Sequence, residues 1–161
     1  LRASIGDAPT RGNEMTEIWT HNDGGRSVSG YRGTTGDCVA RSISIATGME
    51  YNNVYDLINE FGEKERLSKR RRNKSSARTG VHRVTVKKIM EHLGWTWTPT
   101  MTIGSGCKVH LKADELPSGK IVCALSKHYV AVIDGMINDT HDCSRDGTRC
   151  VYGYFTKGKN R

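Results

Sequence analysis

An α+β fold, with helices first and an antiparallel sheet after them, is predicted by three features of the 161-residue chain. Apolar residues recur at helical spacing between residues 37 and 93. From Trp95 onward the period drops to two, in short runs rich in β-branched and aromatic residues. The Asp134-Gly135 pair sits between two of these runs and is a strong signal for a two-residue hairpin turn. Helices packed on one side of the sheet follow from that order.

Residues 1–14 read as a disordered tail, a cloning remnant, an upstream extension or a processed product, and residues 15–161 as a single domain. Up to Gly36 the chain is rich in Gly, Thr, Ser and Arg and reads as tail and loop. A first helix then begins. Asp37 is its expected N-cap, Val39, Ala40, Ile43 and Ala46 its inner face, and Gly48 its stop. A second, capped by Asn52 or Asn53, carries Val54, Leu57, Ile58 and Phe61 inward and ends at Gly62. Residues 63–80 have almost no apolar side chain and read as a basic insertion, a loop or an extended arm. A third helix is expected over 81–93, with Val84, Ile89, Met90 and Leu93 inward. WTWTP, KIVCAL, HYVAVI, MINDT and CVYGYF are the expected strands, and Trp95 and Trp97 should pack together onto a helix.

Composition narrows the function classes. No apolar run approaches the roughly 20 residues that span a bilayer, and the first residues lack the apolar core of a secretory signal, so no membrane partner is expected. Five cysteines, an odd number, argue for reduced thiols in a cytoplasm rather than a disulfide framework. The net charge of +8 is uneven. Residues 64–88 hold eleven Lys/Arg against one acid, Glu65, and the remainder is slightly acidic.

Cys38 falls in the first turn of the first helix, where unpaired N–H groups and the macrodipole favour a negative sulfur. Alone, it is as readily a small buried hydrophobe. His128 opens the strand HYVAVI. With Asp134 and Gly135 as the turn, Ile133 faces Met136, Val130 faces Asp139 and His128 faces His141. His128 and Asp139 then share a face, while Asn138 points the other way. A register slip of one residue would put Asn138 beside His128 instead. A thiol, a histidine base and a residue that orients the base are what nucleophilic thiol chemistry needs.

The order of a helix-initiating Cys in GDC, a long gap, HYVAVI on a strand and a hairpin ending in Asp resembles the papain-like cysteine-peptidase superfamily. Its compact bacterial branch with the bacteriocin-processing C39 peptidases is the most similar in layout. GDCVARSISIATGMEYNNVYDLI and HYVAVIDGMINDTHDCSRDG also resemble phage-encoded proteins of similar length. The resemblance spans about residues 30–60 and 120–156. It implies a thiol hydrolase of peptide, isopeptide or related amide bonds in a host cytoplasm, with Cys38 as nucleophile, His128 as base, Asp139 as orienting residue and no cofactor. The family places an oxyanion-donating Gln about six residues before the nucleophile. Here that position is Arg32 and the chain has no Gln, leaving Arg32, Thr34 or Thr35 as candidates beside the Cys38 N–H. The same departure implies an alternative, an inert scaffold of this fold that binds a host protein or nucleic acid.

For that alternative, Lys69, Arg70, Arg71, Arg72, Lys74 and Arg78 are the candidate contacts to a nucleic acid or an acidic protein surface. No aromatic residue lies among them, so contacts should be phosphate-directed and sequence-tolerant. His141, Cys143 and Cys150 form H-x-C-x6-C, which lacks the close cysteine spacing of a zinc site. No metal is expected; Cys143 and Cys150 are read as packing beneath a loop with a turn at Asp146-Gly147. The Gly-rich loop MTIGSGCKV is expected to flank a cleft.

Overall fold

The computed structural model describes residues 18–32 and 35–158. Three helices and a six-stranded mixed sheet make an α+β architecture. The helices are α1 (Cys38–Thr47), α2 (Tyr51–Glu63) and α3 (Arg83–His92). The strands are β1 (Trp19–His21), β2 (Trp95–Pro99), β3 (Lys120–Leu125), β4 (His128–Ile133), β5 (Met136–Asp139) and β6 (Gly153–Lys157), in the spatial order β1-β5-β4-β3-β6-β2. No helix among the described residues is long and apolar enough to cross a membrane.

The period-two alternation of β3 and β4 splits the interior in two. Val122, Ala124, Tyr129 and Ala131 face the helices, where Val39, Ala40, Ile43, Val54, Ile58, Val86 and Ile89 meet them with Trp95 and Phe155. Ile121, Cys123, Leu125, Val130 and Val132 face the opposite side. There Leu111, Cys143 and Val151 cover them, contributed by irregular chain rather than by helices. Trp95 and Trp97 both join the helix-side core, as their alternation requires.

Several boundaries differ from those expected. The stretch read as tail and loop contains β1, which pairs in parallel with β5 and makes the sheet mixed rather than antiparallel. A three-residue strand with one buried-side tryptophan carries too little pattern to stand out. The residue before α2 is Glu50, not Asn52 or Asn53, and no side chain caps the helix. In α3 it is Val86 that turns inward, whereas Val84 is 50% exposed. Residues 1–14 lie outside the described residues.

The basic insertion is not a free arm. Its chain is irregular, but both ends are fastened to the core. The Glu65 carboxylate accepts from the Ser75 N–H at 2.6 Å and from the hydroxyls of Ser75 and Thr85. Ala77 is fully buried and donates its N–H to Asn59 Oδ1 at 2.9 Å. Gly62 is needed because a β-carbon there would run into the Ser75 carbonyl. The charges remain outside: Lys69, Arg70, Arg72 and Lys74 are exposed, and Arg71 and Arg78 are half-buried. Removing the acceptor by Glu65→Ala strands donors in a partly buried place, which costs about 1–3 kcal/mol. Faster limited proteolysis between residues 66 and 74 is the expected readout.

Candidate active site

The Asp-Gly turn fixes the register as the sequence predicts. Ile133 pairs with Met136, Val132 with Ile137 and Ala131 with Asn138. Continued one step, that register brings Asp139 to the face of Val130 and of His128. His128 Nε2 and Asp139 Oδ2 lie 2.7 Å apart. Asn138 is committed elsewhere: its Oδ1 accepts from Asn22 Nδ2 at 3.1 Å, and its Nδ2 donates to the Met136 carbonyl at 3.0 Å.

At the other end of this layer, α1 starts at Cys38, which lines the same two cavities as His128. Cys38 is half-buried, and with Gly36, Lys127 and His128 it borders two adjoining cavities. One, about 410 Å³, continues along Val39, Thr79, Gly80, Val81, Arg83 and Tyr152. The other, about 560 Å³, continues along Arg26, Thr35, Arg41, Thr140 and His141. The thiol and the imidazole thus sit at the midpoint of one cleft. Thr79 and Gly80 belong to the basic insertion, so its C-terminal end forms a cleft wall. Gly36 permits this, since a β-carbon there would lie 2.9 Å from the Thr79 carbonyl oxygen.

Asp37 occupies the N-cap position but does not cap: its side chain makes no hydrogen bond to the helix start. The carboxylate is drawn sideways, accepting from Tyr51 Oη at 2.7 Å and Arg26 Nη1 at 3.2 Å, with Arg41 Nε at 3.5 Å. Among the described residues no side chain caps the first-turn N–H groups of α1, an arrangement suited to a developing negative charge. Arg41 is the residue that sequence reasoning missed. It is buried, and its guanidinium also lies 3.6 Å from Asp139 Oδ1 and donates to Thr140 Oγ1 at 2.9 Å. It therefore ties the start of α1 to the carboxylate behind His128. An arginine four residues after an aspartate is so common on helices that nothing in the sequence marks it.

Burial works against a charge on His128, but the hydrogen bond to Asp139 and the neighbouring Cys143 and Cys38 thiols outweigh it and push the ring up to about 11. Burial likewise raises Asp139, yet His128, the Thr140 N–H and Arg41 hold it below the usual carboxylate range. The His128 contribution to stability is complete below the ordinary histidine range and is lost as pH rises through about 11. That of Asp139 is complete above the ordinary carboxylate range and is lost as pH falls through its lowered value. The ring resonances of His128 should therefore not titrate between about pH 5 and about pH 9 in an NMR titration. Asp139→Asn should bring the titration down into that range.

Cys143 is also close. His128, Asp139 and Cys143 offer a nitrogen, an oxygen and a sulfur within 4.8 Å of one another. A thiophilic cation needs such atoms, but here His128 and Asp139 already bond to each other and burial pushes the Cys143 thiol up. Cys150 is not beneath the loop with it. It is joined to Cys107 in a disulfide, which corrects the expectation of five reduced thiols and removes one sulfur from the H-x-C-x6-C set. The bridge fastens the Gly-rich loop, whose Met101, Thr102 and Ile103 border an apolar groove with Arg83 and Tyr152, next to the cleft.

Of the oxyanion candidates, Thr35 borders the cleft beside Cys38, and its Oγ1 is buried without a hydrogen-bond partner. Arg32 is exposed, and its carbonyl accepts from Arg78 Nη2 at 3.0 Å. Thr34 lies outside the described residues. A further cavity of about 460 Å³, bordered by Ala46, Thr47, Met49, Leu93, Trp95, Lys120 and Lys157, has no cysteine or histidine among its described lining residues. No protein-family model, no curated protein and no solved structure matches this chain.

Proposed function

We propose that the chain is a papain-like thiol hydrolase that cleaves a peptide, isopeptide or related amide bond. The observation that carries this reading is the line Asp139–His128–Cys38 at the midpoint of an open cleft. With His128 charged, an imidazolium faces the sulfur and stabilises its thiolate. The thiolate attacks the carbonyl carbon, and the oxygen becomes an oxyanion facing the Cys38 N–H and the Thr35 hydroxyl. Collapse breaks the C–N bond, and the leaving amine takes its proton from His128. Neutral His128 then accepts a proton from water as the hydroxyl attacks the thioester. Expulsion of the sulfur as thiolate releases the carboxylic acid and leaves His128 protonated. Asp139 keeps the ring oriented and its charge compensated throughout.

The test is incubation with fluorogenic peptide and isopeptide amides and, in parallel, with a peptidyl vinyl sulfone, followed by mass spectrometry of the protein. Turnover, with a thioester or vinyl-sulfone adduct on Cys38, is expected. Turnover by Cys38→Ala would overturn the reading.

The exposed cations of the basic loop favour a second reading, a scaffold of the same fold that binds a polyanion. Binding to DNA or RNA should then be measurable at low salt and fall steeply as salt rises. The triple substitution of Arg70, Arg71 and Arg72 by Ala should weaken it for all sequences alike and flatten the salt slope. Undiminished binding by the triple variant would reduce the loop to a solvated surface.

A further inference from the structure

We infer that the cleft selects substrates carrying a carboxylate close to the scissile bond, with Lys127 and Arg83 as the residues that recognise it; this rests on the thiol-hydrolase reading. Among the described residues, no Asp or Glu borders either cavity beside Cys38. The two carboxylates nearest the pair, Asp37 and Asp139, are buried and already face Arg26, Arg41 and His128. Arg26 and Arg41 are thereby compensated. Lys127 and Arg83 are not: among the described residues neither has an acidic partner.

Lys127 is placed where a charge has the greatest effect. Leu125 pairs with His128, so Ser126 and Lys127 are the whole turn between β3 and β4. Lys127 adopts φ 55°, a conformation that Gly or Asn ordinarily supplies at such a turn. The position holds a lysine instead, exposed, next to His128 and on the border of both cavities. Backbone outliers of this kind gather at functional sites.

Arg83 stands across the 410 Å³ cavity. Its Nη2 donates to the Leu125 carbonyl at 2.9 Å, and its guanidinium lies 5.7 Å from the Tyr129 ring centroid and 5.2 Å from that of Tyr152. Held on two aromatic rings, it keeps most of its five N–H donors for a ligand, in the planar fork that matches a carboxylate. An acidic side chain of a peptide, seated beside the reacting carbonyl, meets a fixed guanidinium and an ammonium there without displacing a protein carboxylate.

The experiment compares Cys38 alkylation by iodoacetate and by neutral iodoacetamide, mapped by mass spectrometry, in the full chain. The readout is the ratio of the two rate constants. Lys127→Gly removes the charge and suits the turn, and it should lower the ratio by roughly three- to tenfold. Arg83→Met should lower it as well, and added salt should shrink the difference. Lys120→Gln, at the far end of β3, should leave the ratio where it was. A ratio unchanged in Lys127→Gly and Arg83→Met would overturn the inference, because His128 alone would then account for any preference. The hydrolase reading fails differently. Slow labelling by both reagents, with a ratio still sensitive to Lys127, would keep the anion site and remove the nucleophile. Fast labelling with an insensitive ratio would do the reverse.

Discussion

Cys38→Ala is expected to abolish hydrolysis, and His128→Ala to lower the single-turnover rate by roughly 10⁴-fold or more. The double variant should be no worse than Cys38→Ala, because the imidazolium without the thiol is idle. Asp139→Ala should cost less, since it keeps both the thiol and the imidazole and removes only what orients the ring. Circular dichroism separates these losses from unfolding. Cys38 is at a helix start and half-buried, so its truncation removes little packing. A Cys38→Ala protein that unfolds would mean that the thiol is there to fill the core.

Arg41→Ala should be the most destabilising substitution near the site. The guanidinium lies between two buried carboxylates, those of Asp37 and Asp139. Its removal takes one cation from each, leaving Asp37 to Arg26 and Tyr51 and Asp139 to His128, a change that costs about 1.5–3 kcal/mol. The expected drop in melting temperature is about 5 °C or more for a domain of this size. Activity should fall even in the folded fraction, because Asp139 would lose the partner that fixes it behind His128. Arg41→Lys keeps the charge without the planar fork and should recover only part of the loss. Wild-type stability in Arg41→Ala would show that the two carboxylates find water instead.

How much of this was legible in the sequence depends on the range of each interaction. The hairpin was legible because Asp134-Gly135 fixes the register by local geometry, and register then decides which side chain meets His128. The start of α1 was legible from the change in composition at Asp37, and its end from Gly48, which adopts φ 78°. What Asp37 does was not. A capping side chain needs only its own helix, whereas this one is claimed by Arg26, Arg41 and Tyr51. The fastened basic loop was hidden for the same reason. Glu65, Ser75 and Thr85 are polar residues that look solvated in sequence and meet only when α2 and α3 pack. The Cys107–Cys150 bridge joins residues 43 positions apart, and parity of the cysteine count could not reveal it.

The proposed hydrolysis requires the His128 imidazolium to activate the Cys38 sulfur. The most direct measurement is the rate of iodoacetamide alkylation at Cys38 at about pH 6, in the wild type and in His128→Ala, with buried Cys123 as an internal reference. At that pH an ordinary thiol is almost wholly protonated and reacts slowly. Wild-type Cys38 should react at least tenfold faster than a small-molecule thiol, and His128→Ala should remove the advantage. Cys38 reacting no faster than that thiol, or equally fast with and without His128, would contradict that activation.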